Sequence, residues 1–229
     1  MDIRVYKTTG NHFPRSLKMN PTNKNLYYAG DFSLLKTTDI ISVTGSRHMR
    51  NSDAENAFEI GRRLAEDGYV MMNGLSIGCD SCAASGFLNN NGKMIAVLPC
   101  GFHNISRNVN EIFIDQVLEN GGLLISQCSP TTSAQRIDFL NTGVIEARLC
   151  RKMIVIHSRM RGSTMYAAKE AWAADKELGC IGSSEGNDYL MKTGKAEKLM
   201  SPEDAIDWIA AGASSYNIYK KSPGHDQRH

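Results

Sequence analysis

From residue 40 to residue 210, short β-rich runs alternate with stretches of helical period, and several runs halt at glycine, asparagine or proline. The runs cover 40–44, 69–72, 94–98, 123–126, 153–157 and 179–181. Gly45, Asn73-Gly74 and Pro99-Cys100-Gly101 close the first three. Between them, 53–67 carries Ala57, Phe58, Ile60, Leu64 and Ala65 near a 3.6 spacing and stops at Gly68, the pattern of an amphipathic helix. Further helices are expected over 82–88, 109–119, 137–148, 163–175 and 202–210. This alternation predicts an α/β fold, a doubly wound, mainly parallel sheet with helices on both faces. A single domain is expected over 36–212. Residues 1–35, rich in turn formers, read as a short N-terminal extension, and 213–229 as a polar, disordered tail.

The chain has 229 residues, enough for a full core without disulfides or metals. Lys and Arg number 26 against 24 Asp and Glu, which excludes a polybasic coat or chromatin protein but not a local basic site. No apolar run is long enough for a membrane span, and 1–6 has no apolar signal core, so the expectation is a cytoplasmic protein. Cys79 and Cys82 form a C-x-x-C without a second ligand pair at zinc-site spacing. They read as small core thiols beside a glycine-rich turn. Met71, Met72, Met94 and Met153 read as core as well. Neither a metal nor a cofactor is expected.

In such sheets ligands bind beyond the carboxyl ends of the strands. Five segments fall there: 45–47, 73–78, 99–101, 126–127 and 158–164. Glycines let a backbone approach a ligand closely, helix starts favour anions, and arginines add charged donors. Arg47, Arg159 and Arg161 therefore point to phosphate. Walker and dinucleotide signatures are absent. Arg148, Arg151 and Lys152 lie at the opposite end of the 153–157 strand and read as a solvated or partner-facing trio. Asp80 reads as a helix cap, His157 as a core histidine and His48 as an exposed loop residue. Aromatic residues near the rim are limited to Phe102 and Tyr166.

The ordered set of motifs resembles the DprA/Smf family of DNA-processing proteins, within a wider group of Rossmann-like folds that includes the LOG proteins. The carriers are Leu-Tyr-Tyr-Ala-Gly-Asp (26–31), Val-Thr-Gly-Ser-Arg (43–47), Asn-Gly-Leu-Ser-Ile-Gly-Cys-Asp (73–80) and Ala-Val-Leu-Pro-Cys-Gly (96–101). Gly-Gly-Leu-Leu-Ile-Ser-Gln (121–127) and Gly162-Ser163-Thr164 after Ser158 extend the match, and 186–190 and 201–204 close it. The resemblance implies a homodimeric, non-catalytic binder of single-stranded DNA that protects strands and helps to load RecA during DNA uptake and recombination. The phosphate-binding set it implies, with the rim reading, is Gly45, Ser46, Arg47, Gly74, Gly78, Gly101, Asn110, Ser158, Arg159, Arg161, Gly162, Ser163 and Thr164.

Departures are specific. Phe139-Leu140-Asn141-Thr142-Gly143 stands where the family has Phe-Pro-x-Arg-Asn, so its arginine is lost at Thr142. Ala84 replaces a usual histidine, and 106–110 keeps only Asn110 of a Tyr-Pro-x-x-Asn segment. The winged-helix and N-terminal helical domains of longer members have no counterpart in these residues. The alternative is a LOG-like nucleotide N-glycosidase or nucleotide sensor. Ala167 stands where those enzymes carry their glutamate, with Glu170 one turn further along. The strip Ile206, Trp208, Ile209 reads as an exposed dimer surface.

Overall fold

The computed structural model describes residues 1–2, 4–7, 25–105 and 112–219. The expected parallel strands form as β3 (Ile40–Thr44), β4 (Val70–Asn73), β5 (Met94–Leu98), β6 (Leu123–Ser126), β7 (Lys152–Val155) and β8 (Glu177–Ile181). The expected helices form as α1 (Asn51–Glu66), α2 (Cys79–Leu88), α3 (Ile112–Glu119), α4 (Arg136–Leu149), α5 (Ser163–Ala173) and α7 (Pro202–Tyr219). Among the described residues four further strands and helices are present, β1 (Arg4–Lys7), β2 (Asn25–Gly30), α6 (Glu185–Lys192) and β9 (Glu197–Leu199), with two short 3-10 helices at Phe32–Lys36 and Phe102–Asn104. Among the described residues no helix is long and apolar enough to cross a membrane.

One nine-stranded sheet runs β1-β2-β6-β5-β4-β3-β7-β8-β9. From β6 to β9 all neighbours are parallel, while β2 joins β6 antiparallel and β1 joins β2 antiparallel. Residues 25–30, within the stretch read as an extension, thus belong to the sheet itself. α7 runs on to Tyr219, past the expected boundary at 212. Both faces of the central strands are buried, and alternate residues feed two cores. Met94, Ala96 and Leu98 of β5 pack with α1, α2, α3 and α7, whereas Ile95 and Val97 pack with α4, α5 and α6.

Two surface expectations are corrected by packing. Ile209 is fully buried, and Ile206 and Trp208 pack against the first core, so the strip on α7 anchors that helix instead of forming a free surface. Lys152, at the amino end of β7, is 1% exposed. Its Nζ lies 2.8 Å from Glu177 Oε2, donates to Trp208 O at 2.8 Å, and sits 4.1 Å from the Trp208 ring centroid. Arg151 pairs with Asp39 and donates to Ile209 O. These two cations tie α7 to the sheet, Lys152 fully buried and Arg151 largely so. The four methionines named above are fully buried.

The chain builds β3, β4, β5 and β6 in one direction and then crosses back to place β7 on the other side of β3. Between β3 and β7 lies the switch point, where loops leave the sheet towards opposite faces and a crevice opens.

Candidate functional site

At that switch point the loops after β3 and β7 enclose a cleft of about 300 Å3. Eight of the thirteen candidate residues line it: Gly45, Ser46, Arg47, Arg159, Arg161, Gly162, Ser163 and Thr164. The β3 loop is held rigidly. Ser46 N–H donates to His157 O at 2.8 Å, Gly45 N–H to Asp80 Oδ1 at 3.1 Å, and His48 N–H to Ser46 Oγ at 3.2 Å. The amide groups of Gly45 and Ser46 are therefore already occupied. The loop instead aims Arg47, which is exposed and lies 5.0 Å over the Phe139 ring. Gly45 is required by close packing, since a Cβ there would come within 2.6 Å of Cys79 Sγ.

Across the cleft stand exposed Arg159 and Arg161 and the amino end of α5. No side chain caps that helix, so the N–H groups of its first turn and its dipole face the opening. Three guanidinium groups and a helix start around one cleft make a site for phosphate oxygens.

The other candidates have different roles. Gly78, at φ +105°, lies under the β3 loop, where a Cβ would meet Ser46 O at 2.5 Å. Gly74 sits beneath the floor. Ser158 is fully buried, with its hydroxyl donating to Asn187 Oδ1 at 2.8 Å. Gly101 donates its N–H to Thr132 O and packs against the backbone of 129–130. The rim beyond β5 and β6 belongs to a second concavity of about 520 Å3 lined by Pro99, Gln127 and Asp138, so the five segments do not form one site. Asn110 lies outside the described residues.

The floor holds what the residue pattern did not reveal. Phe139, Thr142, Gly143 and Glu146 of α4 line the cleft, together with Asp80 and Ala167. Gly143 lets α4 approach α5, since a Cβ there would lie 2.8 Å from Ala167 Cβ. Asp80 does not cap its own helix; its Oδ1 accepts from Thr44 Oγ1 at 3.2 Å and from Gly45 N–H. Ser42 Oγ donates to Glu146 Oε2 at 3.0 Å. The carboxylates at the cleft are thus Asp80 and Glu146, while Glu170 is not among the lining residues.

Burial pushes the Asp80 carboxyl up to about 6, against hydrogen bonds from Gly45 and Thr44 and the charge of Arg47. Burial and the neighbouring Asp80 raise Glu146 well above the usual carboxylate range. Both groups bind a proton more tightly folded than unfolded, so their contribution to stability falls as pH rises from the usual carboxylate range through 6 and beyond. Glu146→Gln, which mimics the protonated acid, is expected to flatten this decline and leave the variant more stable than the unaltered protein at pH 8. Urea unfolding at pH 5 and pH 8 checks it, and equal slopes for both proteins would refute it.

Asp53 and His157 form a structural pair. Burial works to raise Asp53, but bonds from Arg50 and His157 hold it below its ordinary value. His157 Nδ1 lies 3.0 Å from Asp53 Oδ2, the satisfied histidine expected. Burial raises both Cys79 and Cys82. Among the described residues no group of three or more metal-ligating side chains is present.

A family model for DNA recombination-mediator protein A matches residues 4–210. DNA processing protein DprA of Streptococcus pneumoniae is 28% identical over 187 residues, which span 79% of this chain and 65% of that protein. Protein Smf of Borreliella burgdorferi is 27% identical over 147 residues, 63% of this chain and 46% of the relative. The chain thus spans less than two thirds of these relatives. The X-ray structure of the pneumococcal DprA superposes with a TM-score of 0.78 at 25% identity, covering 90% of this chain and 74% of that one. A structure of DNA processing protein A from Helicobacter pylori, solved for its single-stranded DNA binding mode, gives 0.80 at 21% identity, over 92% and 96% of the two chains; at that identity the likeness speaks for the fold. With the Rossmann-like sheet and the match over most of its length, the chain belongs to the DNA recombination-mediator protein A family.

Proposed function

We propose that the cleft binds single-stranded DNA through its phosphates, without cleaving it. The observation that carries this reading is the convergence of Arg47, Arg159, Arg161 and the uncapped start of α5 on one opening at the switch point. Membership of the family and the DNA-binding relative from Helicobacter pylori support it. In the cell the protein would shield single strands during uptake and recombination and assist the loading of RecA.

A panel of oligo-dT, duplex DNA and mononucleotides at two salt concentrations tests the reading. Single strands are expected to bind more tightly than duplex, because the donors line a narrow cleft at the strand ends and, among the described residues, no helix stands clear of the sheet to enter a major groove. With about three phosphates neutralised, the log-log salt slope should be about −2. Equal affinity for duplex and single strand would count against it.

A second reading, nucleotide processing, draws on Asp80 and Glu146 facing the cleft beside Ala167. Two carboxyl groups with raised values are suited to acid–base work. Release of free base from a nucleoside monophosphate, abolished by Glu146→Gln, would favour it over the binder. We also propose a homodimer, on family grounds, using a surface other than the apolar side of α7. Light scattering at about 50 μM, well above a micromolar Kd, should report twice the chain mass, and a clean monomer would refute it.

A further inference from the structure

Beyond the cleft, α5 carries an exposed stripe at a spacing of three: Ser163, Tyr166, Lys169 and Trp172. Residues three apart on a helix are neighbours on its surface, and at 3.6 residues per turn each such step turns back by about 60°, so the row winds round α5 from the cleft towards α6. Tyr166 is 41% and Trp172 49% exposed. The stripe is continuous with the cleft, because a shallow concavity of about 680 Å3 shares Arg47, Phe139 and Arg161 with it and extends to Tyr166 and Lys169. From there the contacts pass to α6 and the segment after it. Lys169 Nζ lies 5.8 Å from the Tyr189 ring centroid, and Lys195 Nζ lies 5.5 Å from that ring and 4.9 Å from the Trp172 ring.

Cations interleaved with exposed π faces are what a single strand requires. Its phosphates need point charges and its unstacked bases need flat apolar partners, whatever their sequence. Duplex DNA, whose bases are already stacked, cannot use the aromatic half of such a surface. From Ser163 to Trp172 the helix advances about 13 Å at about 1.5 Å per residue, room for about two nucleotides of extended strand.

We propose that the strand leaving the cleft runs along α5, with bases stacking on Tyr166 and Trp172 and phosphates meeting Lys169 and Lys195. The inference rests on the single-strand reading of the cleft and assigns the strand its path outside it. It also makes the aromatic supply larger than the sequence indicated, adding exposed Trp172 and half-buried Phe139 and Tyr189 to Tyr166, while Phe102 is buried.

The test is a titration of intrinsic tryptophan emission with oligo-dT of about four and about twelve nucleotides at fixed low salt. The longer oligomer should quench emission more, and Trp172→Phe should remove that extra quenching. Trp172→Ala should weaken the twelve-mer by about fivefold or more, leave the four-mer unchanged and leave the melting temperature unchanged. If Trp172→Ala binds the twelve-mer as tightly as the unaltered protein while Arg47→Ala does not, the path along α5 is wrong and the cleft stands. Self-association lost in Trp172→Ala, with oligonucleotide affinity intact, would assign the stripe to a second copy of this chain and also overturn the path. No oligonucleotide binding by the unaltered protein would overturn both the path and the cleft reading.

Discussion

Arg47→Ala should weaken binding of a single-stranded oligonucleotide by about 1.5–3 kcal/mol, the range for a hydrogen bond to a charged group, or about ten- to a hundredfold in Kd. The side chain is exposed and stands at the cleft on a loop fixed by His157, Asp80 and Cys79, so the loop should persist without it. Its contact with Phe139 is worth about 0.5–1 kcal/mol at an exposed site, which bounds the cost in stability. Arg47→Lys should recover only part of the affinity, because lysine keeps the charge but loses the planar fork that grips two phosphate oxygens. Fluorescence anisotropy at two salt concentrations measures both variants. Unchanged affinity in Arg47→Ala would remove the cleft from consideration.

Gly86→Ala should destabilise the fold by about 3 kcal/mol, at the upper end for overpacking, lowering the melting temperature by about 6–12 °C for a domain of this size. Helices α1 and α2 cross with their backbones in contact. A Cβ on Gly86 would overlap the Phe58 carbonyl, and one on Gly61 the Ala83 carbonyl. Backbone atoms on both sides cannot rotate away as a side-chain tip could, so the helices must separate. α2 carries Asp80 and packs Cys79 under Gly45, and part of the shift should reach the cleft as weaker binding. Calorimetry checks the first effect, and an unchanged melting temperature would show that the pair tolerates separation.

The sheet was legible because its strands are buried on both faces and end in turn formers; β3, β5 and β6 begin and end where the pattern placed them. β7 ends at Val155, two residues short of the expected end, although Ile156 and His157 still bond to the β3 segment. The elements that escaped depend on distant partners. β2 is ordered by pairing with β6, a hundred residues away, and three-residue β9 by pairing with β8. α6 opens at Glu185 and carries Gly186, Asn187 and Asp188, poor helix formers, in its first turn. Yet Asn187 is fully buried and donates to the carbonyls of Val155, Ile156 and Ile181. The two arginine loops could be found from glycine, arginine and strand ends alone. The floor could not, because α4 shows no one-sided apolar pattern and its facing residues emerge only once it is seen to pack beside α5.

The placement of the cleft between β3 and β7 has a consequence for how the molecule assembles. Ser42 and Glu146 meet across 104 residues of chain, and Arg47 reaches Phe139 over a similar span. Contacts of such separation form late and slowly, since long loops must close before they contribute. A nascent or truncated chain could build β3, β4 and β5 with their helices and still have no binding site. A ligand held by both loops spans the two halves and stabilises only the finished domain, so a bound strand should slow unfolding by bracing the seam at which the halves part.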